Sequence, residues 1–251
     1  MPKNLLIGGG VVVVLLLAII GFVVFRPSAA PSGPMTAVPI VAPTAAPPSA
    51  AAPAPAEDAA TPEAPASAAA PEASAQIFEI VPAESEARFL IDEVLRGAPI
   101  TVAGVTSLVT GQIAVDAANP SASQVGVIQI NARDLTTDNE FRNRAVRNNI
   151  LQTERYELIS FAPTELTGMP EQVNVGDSFE FVINGDLTIR EVTRPVSFTV
   201  NITAASATEL QGLATTSVLY RDFELSIPEV PSVDLVADEV RLELAFVARS
   251  L

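Results

Sequence analysis

From residue 76 onward the chain alternates apolar and polar positions almost without a break. Val240, Leu242, Leu244 and Phe246 take one parity, and Arg241, Glu243 and Ala245 take the other. Phe179, Phe181, Ile183, Leu187 and Ile189 alternate in the same way with Glu180, Asn184, Asp186 and Thr188. Period two marks a strand with one buried face. It predicts strands over residues 77–81, 86–93, 100–105, 107–116, 124–131, 158–162, 178–189, 196–204, 210–219 and 240–248. Turn signals such as Arg96-Gly97, Asn119-Pro120, Gly168-Met169-Pro170 and Val175-Gly176-Asp177 separate them. Many strands with short connections indicate an antiparallel sandwich or barrel. One stretch departs from the pattern. Thr137-Asp138-Asn139-Glu140 has the form of a capping box, and Phe141, Ala145, Val146 and Ile150 follow at helical spacing. This predicts one short amphipathic helix over 138–151, lying against the barrel.

Upstream the pattern changes twice. Residues 5–25 are uncharged and almost wholly apolar. As a helix they span about 31 Å, close to the hydrocarbon thickness of a bilayer. A signal peptide competes with this reading, with Ser28-Ala29-Ala30 as its cleavage site. Its apolar region is normally about 7–15 residues, so the run favours an uncleaved anchor over 1–26. Lys3 precedes the run, Arg26 closes it, and no further Lys or Arg occurs before Arg88. The charge bias predicts a single-pass cell-membrane protein with a cytoplasmic N-terminus and an extracytoplasmic body. Residues 27–75 contain 12 Pro and 20 Ala with no aromatic residue. Such a stretch cannot bury a core and reads as a disordered linker. Extended polyproline II at ~3.1 Å per residue would make it a semi-rigid spacer, and a simple tether is the other reading.

Composition then removes much chemistry. The 251 residues include no Cys, His or Trp and carry a formal charge of −15. There is no thiolate nucleophile, no Ser-His-Asp triad and no Cys or His metal site. The acidic balance argues against nucleic acid and against anionic headgroups. A carboxylate-pair hydrolase is the enzyme class left open. No ordered motif surrounds any pair, so a non-enzymatic protein without a metal or resident cofactor is expected. Asn201-Ile202-Thr203 matches a glycosylation sequon inside an expected strand.

The segment 76–251 resembles the YceI-like family. GDLTIREVTRPVSFTV, residues 185–200, is similar to the family's G-x-L-T-I-x-G-V-T-x-P-V hairpin. FEIVPAESEARFLIDE, VAGVTSLVTGQIAVD, INARDLTTDNEFRNRAVRNNIL and RYELISF resemble further family segments in the family's order. The resemblance covers about residues 77 to 248. It implies an all-β, extended lipocalin-like antiparallel β-barrel with one short flanking helix. It also implies an apolar tunnel holding an isoprenoid quinone or polyprenyl lipid, and it leaves a homodimer open. The chain departs from the family at Glu191, where Gly is usual, at Asn143, where Asp is usual, and at Glu157, where Pro is usual. The family's Gly suggests a positive φ at Glu191, and Glu191→Gly is then expected to stabilise the domain.

The inward parity supplies the candidate tunnel lining: Phe89, Ile91, Val109, Ile113, Ile128, Ile130, Phe161, Phe179, Phe181, Phe198, Val200, Leu242, Leu244 and Phe246. Parity alone does not separate a tunnel from a packed core. A structural or interaction domain with a solid core is therefore the alternative function. Arg142, Arg144 and Arg147 on the expected helix are weak headgroup candidates. Their other reading is a solvated helix face paired with Asp134, Asp138 or Glu140.

Overall fold

Twelve strands pair antiparallel into one curled sheet in the computed structural model, which describes residues 32–40, 75–231 and 233–251. They are β1 (Gln76–Ile80), β2 (Glu86–Leu95), β3 (Ala98–Thr106), β4 (Val109–Thr110), β5 (Gln112–Val115), β6 (Gln124–Val125) and β7 (Ile128–Asn131). They continue with β8 (Leu158–Thr167), β9 (Ser178–Ile189), β10 (Val192–Ser206), β11 (Glu209–Leu219) and β12 (Val233–Ser250). The order runs β4-β7-β8-β9-β10-β11-β12-β1-β5-β6. Only Gly111 separates β4 from β5, so the chain itself joins the two flanks of the curled sheet at this seam. The Ile80 N–H donates to the Gly111 carbonyl across this seam.

β12 organises the length of the barrel. It is 18 residues long, roughly 55–60 Å if fully extended. Its first part pairs with β2 through Val233↔Leu95 to Ala245↔Glu86, and its last part pairs with β1 through Ala248↔Ile80. Inward residues of the strands bury Phe78, Val109, Val200 and Ala248 to 3% exposure or less. Alternation set the buried face of the long strands β9, β10 and β12, as expected, whereas β5 buries three residues in a row. Two expected strands split at glycine. Residues 107–116 divide at Gly111, and 124–131 divide after β6 at Gly126.

Before the helix, the chain differs from the capping-box reading. The α-helix α1 is Glu140–Arg144, and a π-helical turn carries it on through Ala145–Ile150. Asn139 is the N-cap, its side chain accepting from the N–H groups of Phe141 and Arg142. Thr137 is occupied elsewhere. Its N–H and hydroxyl donate to the buried Asn143 Oδ1 at 2.6 and 2.8 Å. Asn143 Nδ2 in turn donates to Glu140 at 3.2 Å. An Asp at this position accepts from Thr137 but has no donor for Glu140. Glu157 also has a structural task, pairing with Arg133 at 3.2 Å and accepting from Asn131.

The β9–β10 turn corrects the expectation about Glu191. The positive φ, 58°, belongs to Arg190, and Glu191 has no such angle. The reason to expect stabilisation from Glu191→Gly is gone. The two residues clasp the end of the π-turn and the segment that follows it. Arg190 donates to the Ile150 carbonyl at 3.3 Å, and Glu191 pairs with Arg155 at 2.6 Å. Pro195 sits where β10 pairs with β9 alone, a local edge that tolerates the missing N–H.

The membrane span expected over 5–25 lies outside the described residues, as does most of the Pro/Ala-rich stretch. Among the described residues no helix is long and apolar enough to cross a membrane. Residues 33–40 of that stretch belong to the compact unit Gly33–Leu251. Ala37 is 4% exposed, and the Ile40 N–H donates to Gln112 Oε1 at 3.1 Å. The Ile40 side chain lies over Gly126, where a Cβ would come within 2.9 Å of it. Because Gln112 pairs through Glu79 with Arg249, near the end of β12, this contact lies at the end away from the first half of β12. Ile40→Asp is expected to cost roughly 1–2 kcal/mol and to raise protease cleavage within 33–40 at least tenfold. Limited proteolysis followed by mass spectrometry measures this, and unchanged cleavage would show that the contact does not hold the segment.

An apolar tunnel with a charged mouth

The inward faces of the strands do not fill the barrel. They enclose a cavity of about 610 Å³. Its wall runs from Ile80, Ile113 and Ile202 at one end to Leu95, Phe141, Pro228 and Val230 at the other. The exposed wall residues are Asn139, Phe141, Pro228 and Val230, all at the second end. That end is the mouth. A smaller void of about 50 Å³ lies beyond the inner end, walled by Phe179 and Leu210, with Ile113, Val125, Phe181 and Ile202 shared between the two.

Three glycines explain why aromatic residues line a hollow instead of plugging it. Phe89 stands opposite Gly104, and Phe246 stands opposite Gly212. A Cβ on Gly104 would lie 2.1 Å from the Phe89 ring, and one on Gly212 would lie 2.5 Å from the Phe246 ring. Phe161 lies against Gly185 in the same manner, at 2.6 Å. Each ring thus lies along the wall over a neighbouring strand that has no side chain there. Phe161 also meets Phe198 edge to face at 4.9 Å between centroids.

Polar groups on the wall are few. Arg88 and Glu243 face each other across β2 and β12 at 2.8 Å. Tyr220 is buried, and burial raises the pKa of its hydroxyl above the ordinary tyrosine value, Arg221 opposing. Its hydroxyl is therefore neutral near pH 7. At the mouth Glu93 is 8% exposed and pairs with Arg142 at 2.9 Å. Arg142 also binds Asp138 at 2.5 Å, one helical turn away. An unpaired buried carboxylate would be costly in this apolar wall, so Arg142 holds its charge in place.

Twelve of the fourteen inward candidates stand on the cavity wall: Phe89, Ile91, Ile113, Ile128, Ile130, Phe161, Phe181, Phe198, Val200, Leu242, Leu244 and Phe246. Val109 does not. It is fully buried where β4 pairs with β7, and it packs the seam. Phe179 faces the smaller void instead. Of the three arginines only Arg142 reaches the wall. Arg144 lies 5.5 Å over the Phe141 ring, and Arg147 approaches Glu140 at 3.9 Å. The candidate set omits Glu93, although it shares the parity of Phe89 and Ile91 on β2. An acid on an inward parity was the available signal. Leu225, Ile227 and Val230 lie between the 3-10 turn Tyr220–Phe223 and β12, outside every expected strand.

A profile of the YceI-like domain matches residues 78–248. The chain belongs to the YceI-like family. Two solved structures share the fold of this YceI-like domain. A polyisoprenoid binding domain from Saccharophagus degradans, implicated in plant cell wall breakdown, has TM-score 0.55 and 13% identity, over 70% of this chain and 99% of its own. Burkholderia cenocepacia BcnA has TM-score 0.55 and 16% identity, over 67% of this chain and 98% of its own. Nothing among curated proteins matches the chain.

The mouth pair is expected to behave as a buried ion pair. Arg142→Ala is expected to destabilise the domain by roughly 2–4 kcal/mol, because it strands Glu93. The double variant Glu93→Leu/Arg142→Leu is expected to recover most of that loss. Denaturant unfolding of both variants measures it, and equal losses in the single and double variants would show that the charge of Glu93 is not the cause.

Proposed function

We propose that this YceI-like protein is an extracytoplasmic binding protein that holds one isoprenoid lipid, a quinone or a polyprenyl chain, in its barrel. The observation that carries the reading is the open apolar cavity of about 610 Å³ with the Glu93–Arg142 pair at its mouth. That volume lies within the ordinary range for a small-molecule pocket, about 300–1,000 Å³. A long apolar chain enters with its polar end at the mouth. Removing it from water contributes roughly 0.8 kcal/mol per buried CH₂ before ordering costs. The relative from Saccharophagus degradans is described as a polyisoprenoid binding domain, which agrees with this reading. The hollow interior weighs against the alternative of a solid-core interaction domain.

Membrane tethering belongs to the same proposal. Residues 5–25 anchor the protein, with the N-terminus cytoplasmic and the barrel outside. The binding step uses no side-chain chemistry. Burial selects an apolar chain, and Glu93 and Arg142 at the mouth meet whatever polar end it carries.

Isoprenoid alcohols of increasing length, titrated into residues 33–251, test the reading. Affinity is expected to rise with each added isoprene unit and then level off when the cavity is full. Ala214→Phe, on the wall, is expected to move the plateau to a shorter chain. Affinity independent of chain length in both proteins would contradict it.

A further inference from the structure

The apolar wall does not stop at the mouth. Phe141, in the first turn of α1, lines the cavity and is still 79% exposed. Val230 also lines it and is 51% exposed. Just outside, Leu235 is 62% exposed on β12, between the residues paired with Leu95 and Glu93. Exposed apolar groups gathered at one site indicate a surface meant to be covered. Here they continue the wall of the cavity outward, so the same apolar path leads from the lumen to the outside.

We propose that this rim is a docking surface for a zwitterionic lipid bilayer, through which the barrel exchanges its ligand. The inference rests on the isoprenoid-binding reading above. An isoprenoid chain resides in a bilayer, and a rim that enters the interface lets it pass without crossing water. Phe141 is the leading wedge. Arg144 lies 5.5 Å over its ring, an aromatic and cation pairing suited to the headgroup level. The folded segment is strongly acidic, with 12 Arg against 25 Asp and Glu from residue 76 on. At the rim Asp138 and Glu140 face Arg142 and Arg147, while Glu229 and Asp234 neighbour Val230 and Leu235 in sequence. That charge disfavours anionic lipid and favours phosphatidylcholine-like headgroups.

The chain has no Trp, so Phe141→Trp installs a single reporter at the rim. Residues 33–251 form one compact unit with its own core and serve as the test protein. With phosphatidylcholine vesicles the emission is expected to shift to the blue and to be quenched by brominated acyl chains. Emission unchanged by vesicles would overturn the proposal. In a second arm, Leu235→Asp, which lies off the cavity wall, is expected to slow uptake of a polyprenol from vesicles at least fivefold. Its loading from detergent micelles is expected to match the parent. Equal uptake from vesicles by parent and variant would overturn the rim's role. A parent that docks on vesicles yet takes up no polyprenol from micelles would sustain the docking and sink the binding reading. Docking only in the presence of an added membrane protein would assign the rim to a protein partner and refute the lipid surface.

Discussion

Phe89, Phe161 and Phe246 lie over Gly104, Gly185 and Gly212, and the interior depends on that contact. A small barrel can hold one ligand or be filled by its own side chains. Large aromatic groups on the inward parity would be expected to fill it here. Where a neighbouring strand lacks a Cβ, the ring turns flat against the backbone and the lumen stays open. The contact therefore has two effects. It covers glycines that would weaken the strands, and it leaves a smooth apolar wall with few groups that need hydrogen bonds.

The mouth follows from the same economy of polar groups. Once the wall is apolar, the Glu93 carboxylate needs a partner, and Arg142 on α1 provides it at 2.9 Å. That pair links the helix to β2. Asn143 ties the helix back to Thr137, and Arg190 and Glu191 hold the end of the π-turn and the chain after it. The helix is thus fixed over the lumen from both sides, with Phe141 left facing out. At the other end Ile40 and Gln112 fasten residues 33–40 to the barrel. Opening and attachment are placed at different ends of the long β12 axis.

The barrel was legible because its signal is repeated along the long strands β9, β10 and β12. Parity sets the buried face, and the helix between β7 and β8 shows at its own period. Twelve inward residues follow from that parity. Several features do not. Whether Val109 packs a seam or lines a void depends on where β4 meets β7, a long-range pairing that alternation does not encode. The cap moved from Thr137 to Asn139 because Asn143, three-dimensionally close, takes the Thr137 hydroxyl. The positive φ fell on Arg190 because turn geometry, not the family's usual Gly position, sets it. The docking of Ile40 on Gly126 fixes to the barrel a piece of a stretch whose composition reads as unstructured. Glu93 was readable in principle, as a charge on an apolar parity.

We propose that the cavity between Phe246 and the Glu93–Arg142 pair holds one isoprenoid chain. Native mass spectrometry of the full chain purified from the cells that make it is the test. The account predicts a single apolar adduct, released on activation and identified after extraction as a quinone or polyprenyl lipid. A protein that flies empty, and stays empty after incubation with quinones and polyprenols, would contradict it.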